Sequence, residues 1–358
     1  MHFYESMTVL TKDDIQIKSY ANEHPEGFIM GVPKYIPTNF IRTEKLQLRA
    51  FNNKEYNRFN IRAIGKDDLT TYVAGFRKYY PDYFMECQQK DTWLMGVPIG
   101  RVTEVPDSKK GAQNLLKNSS KLDEYLSLTK SLIEFLTDGG VPANSFGTTN
   151  STLLGNYTYG KSDIDILIFG KKNYWKAMEI MQTAQHKLLR WRTEAEWKKH
   201  YIDYFPGMDI TQEEYVKHNT RKKSDGLWGE TVFSLFGVSE PEDEKEKFED
   251  TTSKHLGLAK VEATITEDYD ACVRPGTYKI EDVKALEGPK GININPDRIF
   301  SYSRSHVGQV LKGERVICTG MLEKAVEKKT GKERQQLTLG LFESYEKWRE
   351  KELLKKRW

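Results

Sequence analysis

The chain reads as an α/β (α+β) protein whose mixed core lies between two small β-rich domains. Three observations predict this. Residues 1–115 and 286–358 consist largely of short alternating or aromatic-bearing runs broken by Gly, Pro and Asn, the pattern of strands and turns. Residues 116–285 carry helical periodicity on both sides of an apolar run, Ile164–Phe169, that reads as a buried central strand. The balance of 38% hydrophobic and 30% charged residues over 358 positions fits two or three globular domains and is unlike a disordered or membrane chain.

In the first domain, Met7–Leu10, Ile15–Tyr20, Gly27–Tyr35 and Leu46–Phe51 are strand-like, and the His-Pro-Glu-Gly and Asn-Asn turns between them suit a small barrel or curled sheet. Thr71–Tyr80 fits helix and strand equally. The connection Asp107–Ser120 leads into a helix capped by Ser119 or Ser120. Its apolar face is Leu122, Leu126, Leu128, Leu132, Ile133 and Leu136, and it stops at Gly139-Gly140. A strand at Ser145–Thr148 and a short helix at Ser151–Leu154 precede the central strand, and Asn173–Trp191 gives a second amphipathic helix, so the core runs αβαβα. Glu230–Val238 and Lys260–Thr266 are strand-like and are expected to extend the same sheet; the acidic insert Glu240–Asp250 is expected to be a solvated loop or short helix. Beyond 286, Arg298–Tyr302, Val307–Leu311, Glu314–Leu322 and Gln335–Leu341 suit a small OB-like barrel, and Glu343–Trp358 a charged terminal helix.

The chemistry concentrates in residues 147–170, GTTNSTLLGNYTYGKSDIDILIFG. Alternation along a strand sends Asp163 and Asp165 to one face and Ile164, Ile166 and Ile168 to the other, so two carboxylates stand side by side. They repel unless neutralised, and oxygen ligands with room for water and phosphate favour Mg²⁺ or Mn²⁺ over zinc. The turn from Gly147 to Ser151, with Gly155, offers backbone N–H groups and hydroxyls that can cradle a triphosphate.

This run resembles the signature of the DNA polymerase β-like nucleotidyltransferase superfamily, a Gly-Ser turn and short helix followed by an Asp-x-Asp strand. The chain is more closely similar to a group of predicted archaeal nucleotidyltransferases, through Val9–Pro37, Val97–Val105, the core and Val261–Val283. The resemblance implies transfer of a nucleotide from an NTP, with release of pyrophosphate, by Mg²⁺ or Mn²⁺ held on Asp163, Asp165 and a third carboxylate. Glu262, opposite the apolar face of Val261, Ala263 and Ile265, is the first choice, and Glu230 and Asp268 are the alternatives. Gly147, Thr149, Asn150, Ser151, Lys161 and Ser162 are the implied nucleotide-binding residues. One departure is that Asn150 stands where the superfamily has Gly; Asn tolerates the left-handed backbone better than other non-glycine residues. The acceptor implied is RNA, such as a tRNA 3′ end, with a protein or small-molecule hydroxyl as alternatives. The competing class is an inactive relative that binds NTP or RNA without turnover.

Other features bear on partners. Trp191, Arg192, Trp197, Lys198, Lys199, His200, Tyr201, Tyr204 and Phe205 interleave aromatic and basic residues, Lys217–Lys223 is a basic run, and Phe300, Tyr302, Arg304, Arg315 and Lys324 offer a barrel face for nucleic acid; packing and solvation explain each as well. A net charge of +3 is too small to imply nucleic acid by itself. The seven histidines show no zinc-ligand spacing. Cys87, Cys272 and Cys318 are widely separated and suit a reduced compartment, and the charged N-terminal stretch does not look like a signal peptide, so a cytoplasmic protein without membrane contact is expected.

Overall fold

Three β-sheets follow one another along the chain, giving an α+β molecule. The computed structural model describes residues 1–38, 47–51, 53–59, 66–118, 120–204 and 208–358. Leu46, Ser119 and Phe205 lie outside these described residues.

The first sheet has eight strands. Thr8–Thr11, Gln16–Ser19 and Phe28–Pro37 form its antiparallel centre. Alternation buries Val9 and Ile17 in the domain core, while Lys18 stands on the opposite face. The ambiguous stretch is the end of a helix, Lys66–Tyr79.

The second sheet is five-stranded, in the order Leu189–Arg190, Asp225–Trp228, Thr231–Val238, Ile164–Phe169, Phe146–Thr148. Ile164, Ile166 and Ile168 are fully buried and pack on the helices Glu124–Asp138 and Lys171–Thr183; each such side chain contributes about 1.5–3 kcal/mol of burial. The helix before the motif is capped by Asp123, whose side chain accepts from Leu126 N at 2.8 Å, rather than by a serine. On the other face of the same strand, Leu167 and Phe169 pack on Met7 of the first domain. The aspartate face is therefore roofed by the N-terminal sheet.

The third sheet is a closed ring. Thr251–Glu267 pairs with both Gly276–Glu287 and Arg315–Glu327; Arg298–Ser301 joins Gly276–Glu287 and runs parallel to Glu333–Leu339, which returns to Arg315–Glu327. This corrects the expectation that Lys260–Thr266 extends the core sheet. The 17-residue strand has both edges satisfied inside the ring, and Val261, Ala263 and Ile265 fill the ring's own interior. Val307–Leu311 forms no strand. The expected terminal helix is confined to Phe342–Lys347, and Leu353–Lys356 adds to the ring as a strand on Arg315–Glu327. Leu353 and Leu354 are both buried but in different clusters, the period of two that a strand imposes. Cys87, Cys272 and Cys318 are buried and unpaired. Among the described residues no helix is long and apolar enough to cross a membrane.

Candidate active site

Asp163 precedes the strand Ile164–Phe169 and Asp165 lies within it, on the same side. Its parallel neighbour places Ser234 opposite Asp165, and the next strand places Asp225 opposite Ser234. Directly paired residues share a face, so Asp165, Ser234 and Asp225 form a row across three strands. Ser234 Oγ donates to Asp225 at 2.6 Å and Ser224 Oγ donates to its other oxygen at 2.9 Å.

Asp163, Asp165 and Asp225 all line a cavity of about 410 Å³ at the junction of the three sheets. Its other walls carry Lys18, Lys34 and Arg58 from the first domain, Arg192 and Lys222 from the core, and Arg304 from the ring. Phe236 of the core is covered by both Lys18 Nζ, 4.8 Å from its centroid, and the Arg304 guanidinium. Among the described residues, Lys18, Lys34 and Arg192 have no carboxylate within hydrogen-bonding or ion-pair distance. Arg192 Nε is buried without any hydrogen-bond partner.

The electrostatics follow from this crowding. The Asp163 side chain opens onto the cleft, yet protein surrounds it on every other side; that desolvation, then the negative charge of Asp165, push its carboxyl up to about 6 despite the counteracting fields of Arg58, Arg192 and Lys34. Enclosure lowers the Lys34 ammonium to about 8 and the Lys18 ammonium well below the usual lysine range, with Asp165 pulling each back up. Adjacent acids facing enclosed basic groups without carboxylate partners suit a ligand that brings negative charge together with a counter-cation.

Not every expected residue takes part. The ends of the motif turn are structural: a Cβ at Gly147 would lie 2.8 Å from the Phe169 ring, and Thr149 Oγ1 donates to Ser6 O at 2.8 Å. Asn150 adopts φ +50, the conformation glycine favours, and its Nδ2 donates to Asp165 Oδ2 at 3.3 Å while Thr8 Oγ1 donates to its Oδ1 at 3.4 Å. It therefore orients the aspartate. Ser151 opens the short helix Asn150–Leu154 beside Asn150. Lys161 is exposed, and Ser162 Oγ accepts from Thr158 N at 2.9 Å within its own turn; neither lines the cavity.

The structure overturns Glu262 as the third carboxylate. It lies in the ring, held by Arg315 Nε at 2.9 Å and by Arg357, and lines no part of the cleft. Glu230 sits in an exposed turn with φ +55, 3.8 Å from Arg190, and Asp268 accepts from Lys312 N at 3.0 Å. Neither reaches Asp163. The acid facing the cleft from the neighbouring strands is Asp225, which sequence reading missed because Asp225–Trp228 is too short and irregular to signal a strand.

Lys18 and Lys34 were equally hidden, each the one charged residue of its strand. The aromatic-basic segments, by contrast, point to the cleft: Arg192, Trp197, His200, Tyr204 and Lys222 all line it. Lys198 and Lys199 instead pair with Glu194 and Asp203 on the outer helix surface.

The expected nucleic-acid face on the ring is not formed as drawn. Arg315 holds Glu262, Lys324 pairs with Glu333, Tyr302 stacks on Tyr20, and Arg304 turns into the cleft. The acidic insert contains two short helical turns, Pro241–Asp243 and Phe248–Asp250, and it packs on the ring rather than standing free in solvent. Glu246 accepts from Arg298 at 2.9 Å and Arg334 at 2.7 Å, and Phe248 is buried.

A divalent cation fits the cleft in a limited sense. Among the described residues no group of three His, Cys, Asp or Glu side chains is gathered closely enough to hold one. Mg²⁺ commonly takes only one or two carboxylates and completes its shell with phosphate oxygens and water, a role Asp163 and Asp165 can fill.

No family model matches the chain, and no solved structure matches it. An uncharacterised protein of Methanocaldococcus jannaschii is 27% identical over 323 residues, covering 87% of each chain.

Proposed function

We propose that the protein is a metal-dependent nucleotidyltransferase that moves a nucleotide from an NTP to an acceptor hydroxyl, with RNA as the acceptor. The observation that carries this reading is one cleft in which Asp163 and Asp165 face Lys18, Lys34 and Arg192, three cations without carboxylate partners. Ordinary surface acids and bases pair with each other, as Lys198 and Lys199 do here; leaving three enclosed basic side chains without carboxylate partners around two adjacent acids is costly unless a ligand completes the charge balance.

A triphosphate meets that requirement. Lys18 feels the charge of Asp165, Lys34 that of both acids, and Asp163 the fields of Arg58, Arg192 and Lys34. Together these basic side chains hold the phosphates and balance the charge of departing pyrophosphate. The acceptor oxygen forms a bond to the α-phosphorus, the bond to pyrophosphate breaks, and the hydroxyl proton is released. Mg²⁺ or Mn²⁺ bound by Asp163 and Asp165 would lower the hydroxyl pKa and screen charge at the reacting phosphate. Asn150 keeps Asp165 aimed into the cleft, and the buried isoleucines hold the strand that carries it. The closed ring, whose third and fifth strands run parallel, supports an OB-type C-terminal domain beside this core.

The test supplies each radiolabelled NTP with Mn²⁺ and total RNA. Wild-type protein is expected to transfer label to RNA, and Asp165→Asn to transfer none. Absence of transfer together with nucleotide binding insensitive to chelator would instead identify a non-catalytic binder.

A further inference from the structure

The cleft also has aromatic lining to which phosphate chemistry gives no role. Besides Arg192, which stacks on Trp197 at 5.1 Å, the lining includes His200 and Tyr204 near the end of the helix Glu194–Tyr204. The His200 and Tyr204 rings lie 4.6 Å apart at an interplanar angle of 31°, and His200 Nδ1 is 2.7 Å from the Tyr215 hydroxyl, which fixes the imidazole.

Trp197 and Tyr215 are explained by packing, since both are buried against Ile210, Val216 and Leu353. Tyr204 is not. It remains 36% exposed while still lining the cavity, and its neighbour His200 is only half-buried. Aromatic rings lining a cleft attract flat π-systems, and a polyphosphate or a metal ion gains nothing from them.

We propose that His200 and Tyr204 form a nucleobase-stacking subsite, with Arg192 joining it to the acidic end of the cleft. This rests on the nucleotidyltransferase reading for the acids but is separable from turnover. The base stacked there belongs either to the donor NTP or to the last nucleotide of the acceptor. Stacking is tolerant of base identity, so the subsite distinguishes nucleotides from bare phosphates rather than one base from another.

Three ligands separate the possibilities when titrated into full-length wild type, Tyr204→Ala and Tyr204→Phe: ATP, inorganic tripolyphosphate and a short oligoribonucleotide. Tyr204→Ala is expected to weaken a base-bearing ligand about tenfold, the scale of one base–aromatic stack, with Tyr204→Phe near wild type and tripolyphosphate unchanged. Loss for ATP alone assigns the donor base, and loss for the oligonucleotide alone assigns the acceptor. Unchanged binding of both base-bearing ligands by Tyr204→Ala overturns the subsite and leaves the proposed transfer activity standing. No binding of any ligand to wild type overturns both.

Discussion

Asp163 carries a conflict between folding and function. Its carboxyl titrates near 6, above the roughly 3.9 of an unperturbed aspartate, so ionisation is disfavoured in the folded state. The sign follows: its effect on metal-free stability is neutral below the ordinary aspartate range and becomes destabilising as pH rises toward 6 and beyond. Asp163→Asn is therefore expected to match wild type in thermal midpoint at pH 4 and to exceed it at pH 7, both without metal. Calorimetry at the two pH values checks this, and an equal or lower midpoint for the variant at pH 7 would refute it. The pair Asp163 and Asp165 was legible because the i, i+2 spacing opens an apolar run. Lys18, Lys34 and Asp225 were not, because a single charged residue on a strand is indistinguishable from a wet face until the opposing sheet is known. Asn150 was legible as a departure, but its contact with Asp165 depends on a left-handed backbone that sequence alone does not reveal.

At the level of elements, the long strand Thr251–Glu267 departs furthest from what its sequence predicts. Its alternation places Val261, Ala263 and Ile265 inward, yet alternation gives a strand's faces and not its neighbours. Pairing on both edges within the ring took Glu262 away from the acids and set it beside Arg315 and Arg357. Those two cations hold its carboxyl below the usual glutamate range. Glu262→Gln is accordingly expected to leave nucleotide and Mn²⁺ affinity within about twofold of wild type, the scale of substitutions away from a site. Isothermal titration of both ligands measures it, and a loss of metal binding would return Glu262 to the site. The helices flanking the aspartate strand were readable because their apolar faces repeat with helical period. The terminal segment was not, since two adjacent leucines serve a strand that buries both faces as well as they serve a helix.

Across the whole molecule, three sheets follow one another along the chain, and residue 286, where the composition changes, lies at the end of the second strand of the ring rather than between sheets. The first and last parts are locked together by Glu5, which accepts hydrogen bonds from Arg274 at both the backbone and the guanidinium, both residues being buried. Burial raises the Glu5 carboxyl even with Arg274 beside it. Arg274→Met leaves that carboxylate unpaired, at a cost of about 3–5 kcal/mol. Because a raised carboxyl loses its stabilising contribution as pH increases, the deficit is expected to be larger at pH 8 than at pH 5. Urea denaturation at both values tests this, and a pH-independent deficit would contradict it. Phe236, flanked by Lys18 from the first sheet and Arg304 from the third, has a consequence in time. A chain emerging from the ribosome at roughly 5–20 residues per second presents Lys18 long before Asp165 exists, and the stretch from Asp165 to Arg304 takes on the order of ten seconds more. Leu354, also part of the cleft wall, follows Arg304 by a further 50 residues. The basic groups Lys18 and Lys34 are thus made before the acids they face, and the pocket has all of its walls only once Leu354 has emerged.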